Sequence, residues 1–166
     1  MSVLVHAEPV RRSAADWIAR IALEPFGFDG QWEQVWLRRR EGDLAELCCI
    51  PLLAYGVALG DVVRLSGDGS TVLGVVERSG RHVFRALLTV ERTEEVAEIR
   101  AEIEAMCARA GLLLEWTDGR FVGIDIPPDA DVSGLAGLVE ARRLEWEWSS
   151  TLPFEAPRLR RWWRRR

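Results

Sequence analysis

The chain changes rhythm part-way along, and that change limits the folds open to it more than any other feature. Before residue 82 apolar residues recur with period two in short runs; after residue 90 runs of helical spacing lie between strands. Trp32, Gln34 and Trp36 alternate with Glu33, Val35 and Leu37, and a polar turn over residues 40–43 leads to a strand over residues 44–50. Strands over residues 61–66 and 71–78 are joined by Gly67-Asp68-Gly69-Ser70, a short glycine-rich hairpin connection. The Ser79-Gly80 turn then feeds a strand over residues 82–90. Five short strands with tight turns predict a small curled antiparallel sheet or half-barrel. Residues 13–24 fit two descriptions equally: a helix capped by Ser13 with Asp16 in its capping box, or a strand around residues 18–23.

In the second half Thr93 is placed to cap a helix, with Glu94 and Glu95 in the first turn where the helix dipole favours acids. Val96, Ile99, Ile103, Met106 and Ala110 keep helical spacing until Gly111. Leu112, Leu114 and Trp116 start a strand, Asp118-Gly119 is a strong hairpin signal, and Val122, Ile124 and Ile126 continue to Pro127-Pro128. Asp131 is placed to cap a second helix, which Gly134 and Gly137 weaken, and Trp146 and Trp148 alternate with Glu145 and Glu147 in a last strand. From His82 the order is β-α-β-β-α-β, that of a ferredoxin-like fold with both helices on one face of the sheet. The expected class is α+β, a small antiparallel β-module (half-barrel) followed by that ferredoxin-like half. The boundaries expected are a β-module over residues 1–80, the α+β half over 81–150 sharing its core, and an arginine- and tryptophan-rich tail over 151–166.

Charge divides the chain. All 22 basic residues are arginine, against 26 acids. Six of those arginines fall in residues 158–166, which hold no acid, so the rest of the chain carries 16 against 26, a net charge of −10. An acidic body favours basic partners and the tail favours anionic ones. Cys48, Cys49 and Cys107 form no disulfide framework and read as buried thiols of a reducing compartment. No apolar run reaches the roughly 18 residues of a membrane span, and the N-terminus does not read as a secretion signal, so a cytoplasmic location is expected.

Five segments resemble a known family: EQVW (residues 33–36), IPLLAYGVALGDVV (50–63), SGRHVFR (79–85), GRFVGIDIPPD (119–129) and RLEWEW (143–148). Their order and spacing are similar to those of a bacterial family known only as a domain of unknown function. The resemblance spans about residues 18 to 148 and implies small cytoplasmic proteins without an assigned activity. The arginine tail departs from that pattern, so its role does not follow from the resemblance.

Candidate chemistry is sparse. His6 is expected in a frayed terminus; Ser79 and His82 flank a turn with no acid placed to orient the ring. Asp125, in an apolar strand before two prolines, reads as an acid tied to turn amides. No Cys or His cluster has metal-ligand spacing and no glycine run leads into a phosphate-binding helix, so no metal, cofactor or enzymatic activity is expected. Binding surfaces read better. Tyr55, the only tyrosine, sits in an apolar loop; Arg78, Arg81 and Arg85 cluster about the Ser79-Gly80 turn, with Arg78 and Arg85 able to face one another as an anion fork or to pair with nearby acids. Most of the strand tryptophans, Trp32, Trp36 and Trp116 among them, read as core. Glu145, Trp146, Glu147 and Trp148 form a strand that would accept a partner strand if it lies at a sheet edge. These residues are the expected contacts of a protein-binding module, most specifically an immunity-type inhibitor of a basic toxin domain. The alternative is a nucleic-acid-binding regulator acting through Arg160, Arg161, Trp162, Trp163, Arg164 and Arg165 of the tail.

Overall fold

The computed structural model of the chain describes residues 2–149, and among them ten strands and two α-helices form two sheets. The first sheet holds β1 (Ser2–Leu4), β2 (Trp17–Ala22), β3 (Gln31–Arg39), β4 (Leu44–Leu47), β5 (Val62–Leu65) and β6 (Val72–Glu77). The nine-residue β3 is its hub: β2 runs antiparallel along one edge, while parallel β1 and antiparallel β4 share the other. β5 and β6 continue the meander and curl back until Thr71 meets Arg20, whose amide donates to the Ser70 carbonyl at 3.0 Å. Gly69 allows this approach. It has φ +72°, its carbonyl accepts the Trp17 Nε1 proton at 2.8 Å, and a Cβ there would lie 3.2 Å from the Trp17 ring.

Residues 17–22 are therefore strand, and the helical description of that stretch is discarded. β-branched Ile18 and Ile21 suit the extended backbone, and Ala19 and Ile21 alternate inward onto Val35, Leu37, Leu47 and Val63. A further correction concerns residue 82. The strand that begins there leaves the curled sheet, because the Ser79-Gly80 turn is a crossover between sheets rather than a hairpin.

The second sheet contains β7 (His82–Leu87), β8 (Leu113–Thr117), β9 (Phe121–Ile126) and β10 (Glu145–Trp148), in the order β10-β7-β9-β8 with every neighbour antiparallel. The connections run through α1 (Thr93–Ala110) and α2 (Ser133–Ala141). Phe84, Ala86, Val122, Ile124 and Ile126 share one core cluster with Ile99, Ile103 and Cys107 of α1 and Leu135 and Val139 of α2. Ile99 and Ile103 are fully buried there, each contributing roughly 1.5–3 kcal/mol by transfer from water. α1 ends at Gly111 in the left-handed conformation, φ +67°. Its start lacks the expected Thr93 cap, since Thr93 is already helical, whereas the Asp131 carboxylate does accept the Ser133 amide at 2.9 Å before α2. Asp118 and Gly119 both have positive φ, within the three-residue connection that the Arg120 amide closes on the Thr117 carbonyl at 3.3 Å.

Residues 48–61 fill the space between the sheets, most of them buried, and Leu87 and Phe121 of the second sheet pack into the core of the first. The α+β class follows directly. No helix among the described residues is long and apolar enough to cross a membrane.

Candidate functional site

The chemistry-bearing residues converge on that interleaved loop. β3 presents Glu33, Val35 and Leu37 inward, so a carboxylate enters the core by strand parity alone. Glu33 is fully buried, and its oxygens accept the amides of Leu52 (2.5 Å), Leu53 (2.9 Å) and Ala54 (2.7 Å). From the far sheet Glu115 of β8 accepts the amides of Val10 (3.0 Å) and Ile50 (2.8 Å). His6 lies between the two acids, with Nε2 3.0 Å from Glu33 and Nδ1 2.5 Å from Glu115. Carboxylates that already accept backbone amides call for a donor on each ring nitrogen, so the imidazole is doubly protonated. Burial opposes that charge, but the bonds to Glu115 and then Glu33 outweigh it and lift the His6 pKa to about 9. Burial likewise works against the Glu33 charge, and the bonds from His6 and Leu52 reverse the balance, holding its pKa below the usual carboxylate value.

Two further ion pairs clamp the same loop and a third, Arg81 with Asp125, lies beside it. Buried Arg85 donates to the carbonyls of Pro51 and Ala54, lies 3.3 Å from the Glu147 carboxylate and stacks 4.7 Å from the Tyr55 ring centroid. The Tyr55 hydroxyl donates to both Glu147 oxygens, and burial followed by that bond pushes its pKa well above the usual value. Asp61 accepts the amides of Ala58 (3.0 Å) and Ser79 (2.7 Å) with Arg78 at 3.5 Å. Arg81 grips the fully buried Asp125 through Nε (2.8 and 3.0 Å) and Nη2 (2.5 Å). Gly123 of β9 completes the joint: a Cβ there would lie 2.9 Å from Leu52 and 3.0 Å from Ile50.

A model of the family described as a domain of unknown function, DUF4265, matches residues 33–150. The chain belongs to the DUF4265 family. No curated protein matches it. A solved structure described as a hypothetical protein from Neisseria gonorrhoeae resembles it with a TM-score of 0.61 at 14% identity, covering 80% of this chain and 93% of that one. That likeness is one of fold. In this DUF4265 chain the five segments on which the sequence resemblance rests also supply the clamp: Glu33, the loop amides, Ser79 with Arg81 and Arg85, Gly123 with Asp125, and Glu147.

Several expected site residues of the DUF4265 chain thus take internal places. Tyr55, Arg85 and Glu147 bond to one another, and Arg81 is spent on Asp125. Arg78 and Arg85 do not form a fork: Arg85 lies buried in β7, whereas Arg78, in the crossover after β6 and 64% exposed, turns to Asp61 and the Gly56 carbonyl. Asp125 is held by a guanidinium rather than by turn amides, and His6 is core rather than frayed end. Ser79 Oγ accepts the Arg81 amide while the His82 ring lies edge-on to Trp148 at 6.4 Å, so this pair forms no dyad. The expectation for the last strand fares differently. β10 is an outer strand of its sheet, and among the described residues its other edge carries no partner strand. Trp146 is 41% exposed and stacks on Phe84 at 5.4 Å, Glu145 is exposed beside it, and Trp148 packs against the edge of the same ring. Arg160, Arg161, Trp162, Trp163, Arg164 and Arg165 lie outside the described residues. Glu33 was open to discovery by its parity with Val35 and Leu37; no local pattern marks His6 or Glu115.

Proposed function

We propose that this DUF4265 chain acts by binding a protein partner along β10, with Trp146 as the anchor and Glu145 as its charged neighbour. The observation that supports it is the outer edge of β10, unpaired among the described residues, beside an exposed, ring-stacked indole. An edge of this kind offers main-chain hydrogen bonds to an added strand, and a rigid tryptophan supplies the side-chain anchor. The clamp beneath keeps the edge in place, since Glu147 on the reverse face is tied to Tyr55 and Arg85. The finer reading is an immunity-type inhibitor of a toxin domain, acting in the cytoplasm. It draws on the net −10 of residues 1–157, 16 arginines against 26 acids, which would speed encounter with a basic partner.

The test is affinity capture from the native host after nuclease treatment, followed by titration of the captured protein. A stoichiometric partner whose affinity falls at least tenfold with Trp146→Ala or Glu145→Arg, and falls further with added salt, supports the reading. A partner bound equally by both variants removes β10 from the interface, and a salt-independent complex removes the electrostatic element.

A further inference from the structure

The outward side of the curled sheet carries a feature that the overall acidity conceals. The amide of Arg11 donates to the Cys48 carbonyl at 3.1 Å, which pins residues 11–12 beside the β3–β4 hairpin and its run Arg38–Arg39–Arg40. Three guanidiniums converge there on one carboxylate: Glu46 lies 2.5 Å from Arg38, 2.6 Å from Arg40 and 3.7 Å from Arg11. The guanidiniums of Arg12 and Arg39 form no salt bridge among the described residues, although the Arg39 amide donates to Asp16 Oδ1 at 2.8 Å. They stack instead on indoles, 5.0 Å from the Trp36 ring and 4.1 Å from the Trp17 ring. Arg11, Arg12, Arg38 and Arg40 thus outnumber the acids among them, Glu46 with Asp16 and Glu41 beside it, on a chain of net charge −4.

The register sets Trp17 opposite Leu37, so the Trp17–Arg39 stack lies on the core-facing side of the sheet; beside the Trp36–Arg12 stack a groove of about 370 Å³ is lined by Ala15, Asp16, Trp17, Ile18 and Trp36. Ile18 stands opposite Trp36 in the β2–β3 ladder and is 46% exposed. The same outer face repeats the motif further along, where Arg20 stacks 5.3 Å from the Trp32 ring. Indoles in a shallow groove beneath a cationic rim suit a ligand that is both flat and anionic. Unpaired bases stack on aromatic rings regardless of sequence, and the phosphates that follow them meet the arginines. A duplex offers no free base face to such a groove.

We infer that the outer face of β2 and β3, from Arg12 and Trp36 to Arg38 and Arg40, is a binding site for single-stranded nucleic acid. This surface is distinct from the β10 edge and does not rest on the protein-partner reading.

The experiment uses the full chain and a fluorescein-labelled 12-mer of deoxythymidylate, read by anisotropy between 50 and 200 mM salt (assay conditions on the scale at which phosphate contacts are resolved, roughly 0.7 of a logarithmic slope unit per contact on a single strand). Because the tail is itself cationic, the measurement is made alongside a variant with Arg160, Arg161, Arg164 and Arg165 changed to glutamine. The expected result is binding that survives in the tail variant, quenches tryptophan fluorescence, and weakens about tenfold or more with Arg12→Gln/Arg40→Gln. Trp146→Ala leaves it unchanged. Neither arginine is buried and both variants keep the hydrophobic core, so the folded state is checked simply by the unfolding midpoint. The inference is overturned if the tail variant abolishes binding, if the double arginine variant binds as tightly as the parent, if a duplex of the same length binds equally well, or if anionic phospholipid vesicles bind and the 12-mer does not.

Discussion

Replacing His6 by glutamine removes the cation that touches both Glu33 and Glu115, while keeping a side chain able to donate a hydrogen bond. The magnitude follows from linkage. A pKa near 9 in the folded protein against 6.5 for an exposed histidine corresponds to about 3 kcal/mol of stability. The sign is set by the upward shift: the folded state holds the proton more tightly, so the stabilisation is complete below pH 6.5 and disappears as pH rises through 9. Loss of one partner from a buried ionic cluster is independently worth about 3–5 kcal/mol, of the same order. Urea unfolding followed by tryptophan fluorescence reads the difference. With a slope of about 2 kcal/mol per molar for a chain of this size, His6→Gln should lower the midpoint by about 1.5 M at pH 6.5. The gap between parent and variant should close towards pH 10. Buried Cys48, Cys49 and Cys107, whose thiols are pushed up by burial, also make alkaline pH destabilising, but equally in both proteins. A constant gap from pH 6 to 10, or no gap at all, would refute a charged His6 in the core.

Other consequences are as direct. Gly123→Ala forces a Cβ against Leu52 and Ile50 at 2.9 and 3.0 Å and should cost about 1–3 kcal/mol, read as a lower unfolding midpoint; an unchanged midpoint would mean the loop does not press on β9. Arg81→Leu leaves Asp125 buried without its cation and should destabilise by about 3–5 kcal/mol, with Asp125→Asn/Arg81→Leu recovering much of the loss in the same assay. Tyr55 is the only tyrosine, so absorbance near the phenolate band reports it alone. Its ionisation should be absent as pH passes the usual value of 10.0 and appear only on unfolding, since burial and then the bond to Glu147 hold the proton.

Local order was legible because it depends on neighbours in the chain. The period-two runs from Gln31, the helical spacing from Val96 to Ala110 and the Asp118-Gly119 turn each became the element they announce. The two-sided reading of residues 13–24 could not be resolved locally. Ile18, Ala19 and Ile21 serve either structure, and what decides is β3 pairing along the whole of β2. Trp32 and Trp36 read as core on hydrophobicity, yet both are only half-buried, Trp36 packing in part against the first core, while Glu33 goes fully inside. Apolar preference yields there because Glu33 meets three loop amides and His6, from residues 19 to 27 positions away. Arg81 and Arg85 illustrate the same limit. Spacing about the turn left open an anion fork of Arg78 and Arg85 or pairing with acids, and the acids that claim Arg81 and Arg85, Asp125 and Glu147, lie 44 and 62 positions on.

The sequence by itself determined the α+β class, the identity and order of most elements, the run of family-like segments and the lack of any apolar run long enough for a membrane-spanning helix. Those properties are written in periodicity, turn chemistry and composition, which act over a few residues. Only the tertiary structure decided which carboxylates enter the core, that His6 would bridge two of them, that β10 would be an outer strand, and that Arg11 would meet Arg38 and Arg40 on one carboxylate. Each of these is settled by an encounter between distant residues, and burial multiplies the energy of such encounters because charges removed from water interact far more strongly than they do in it.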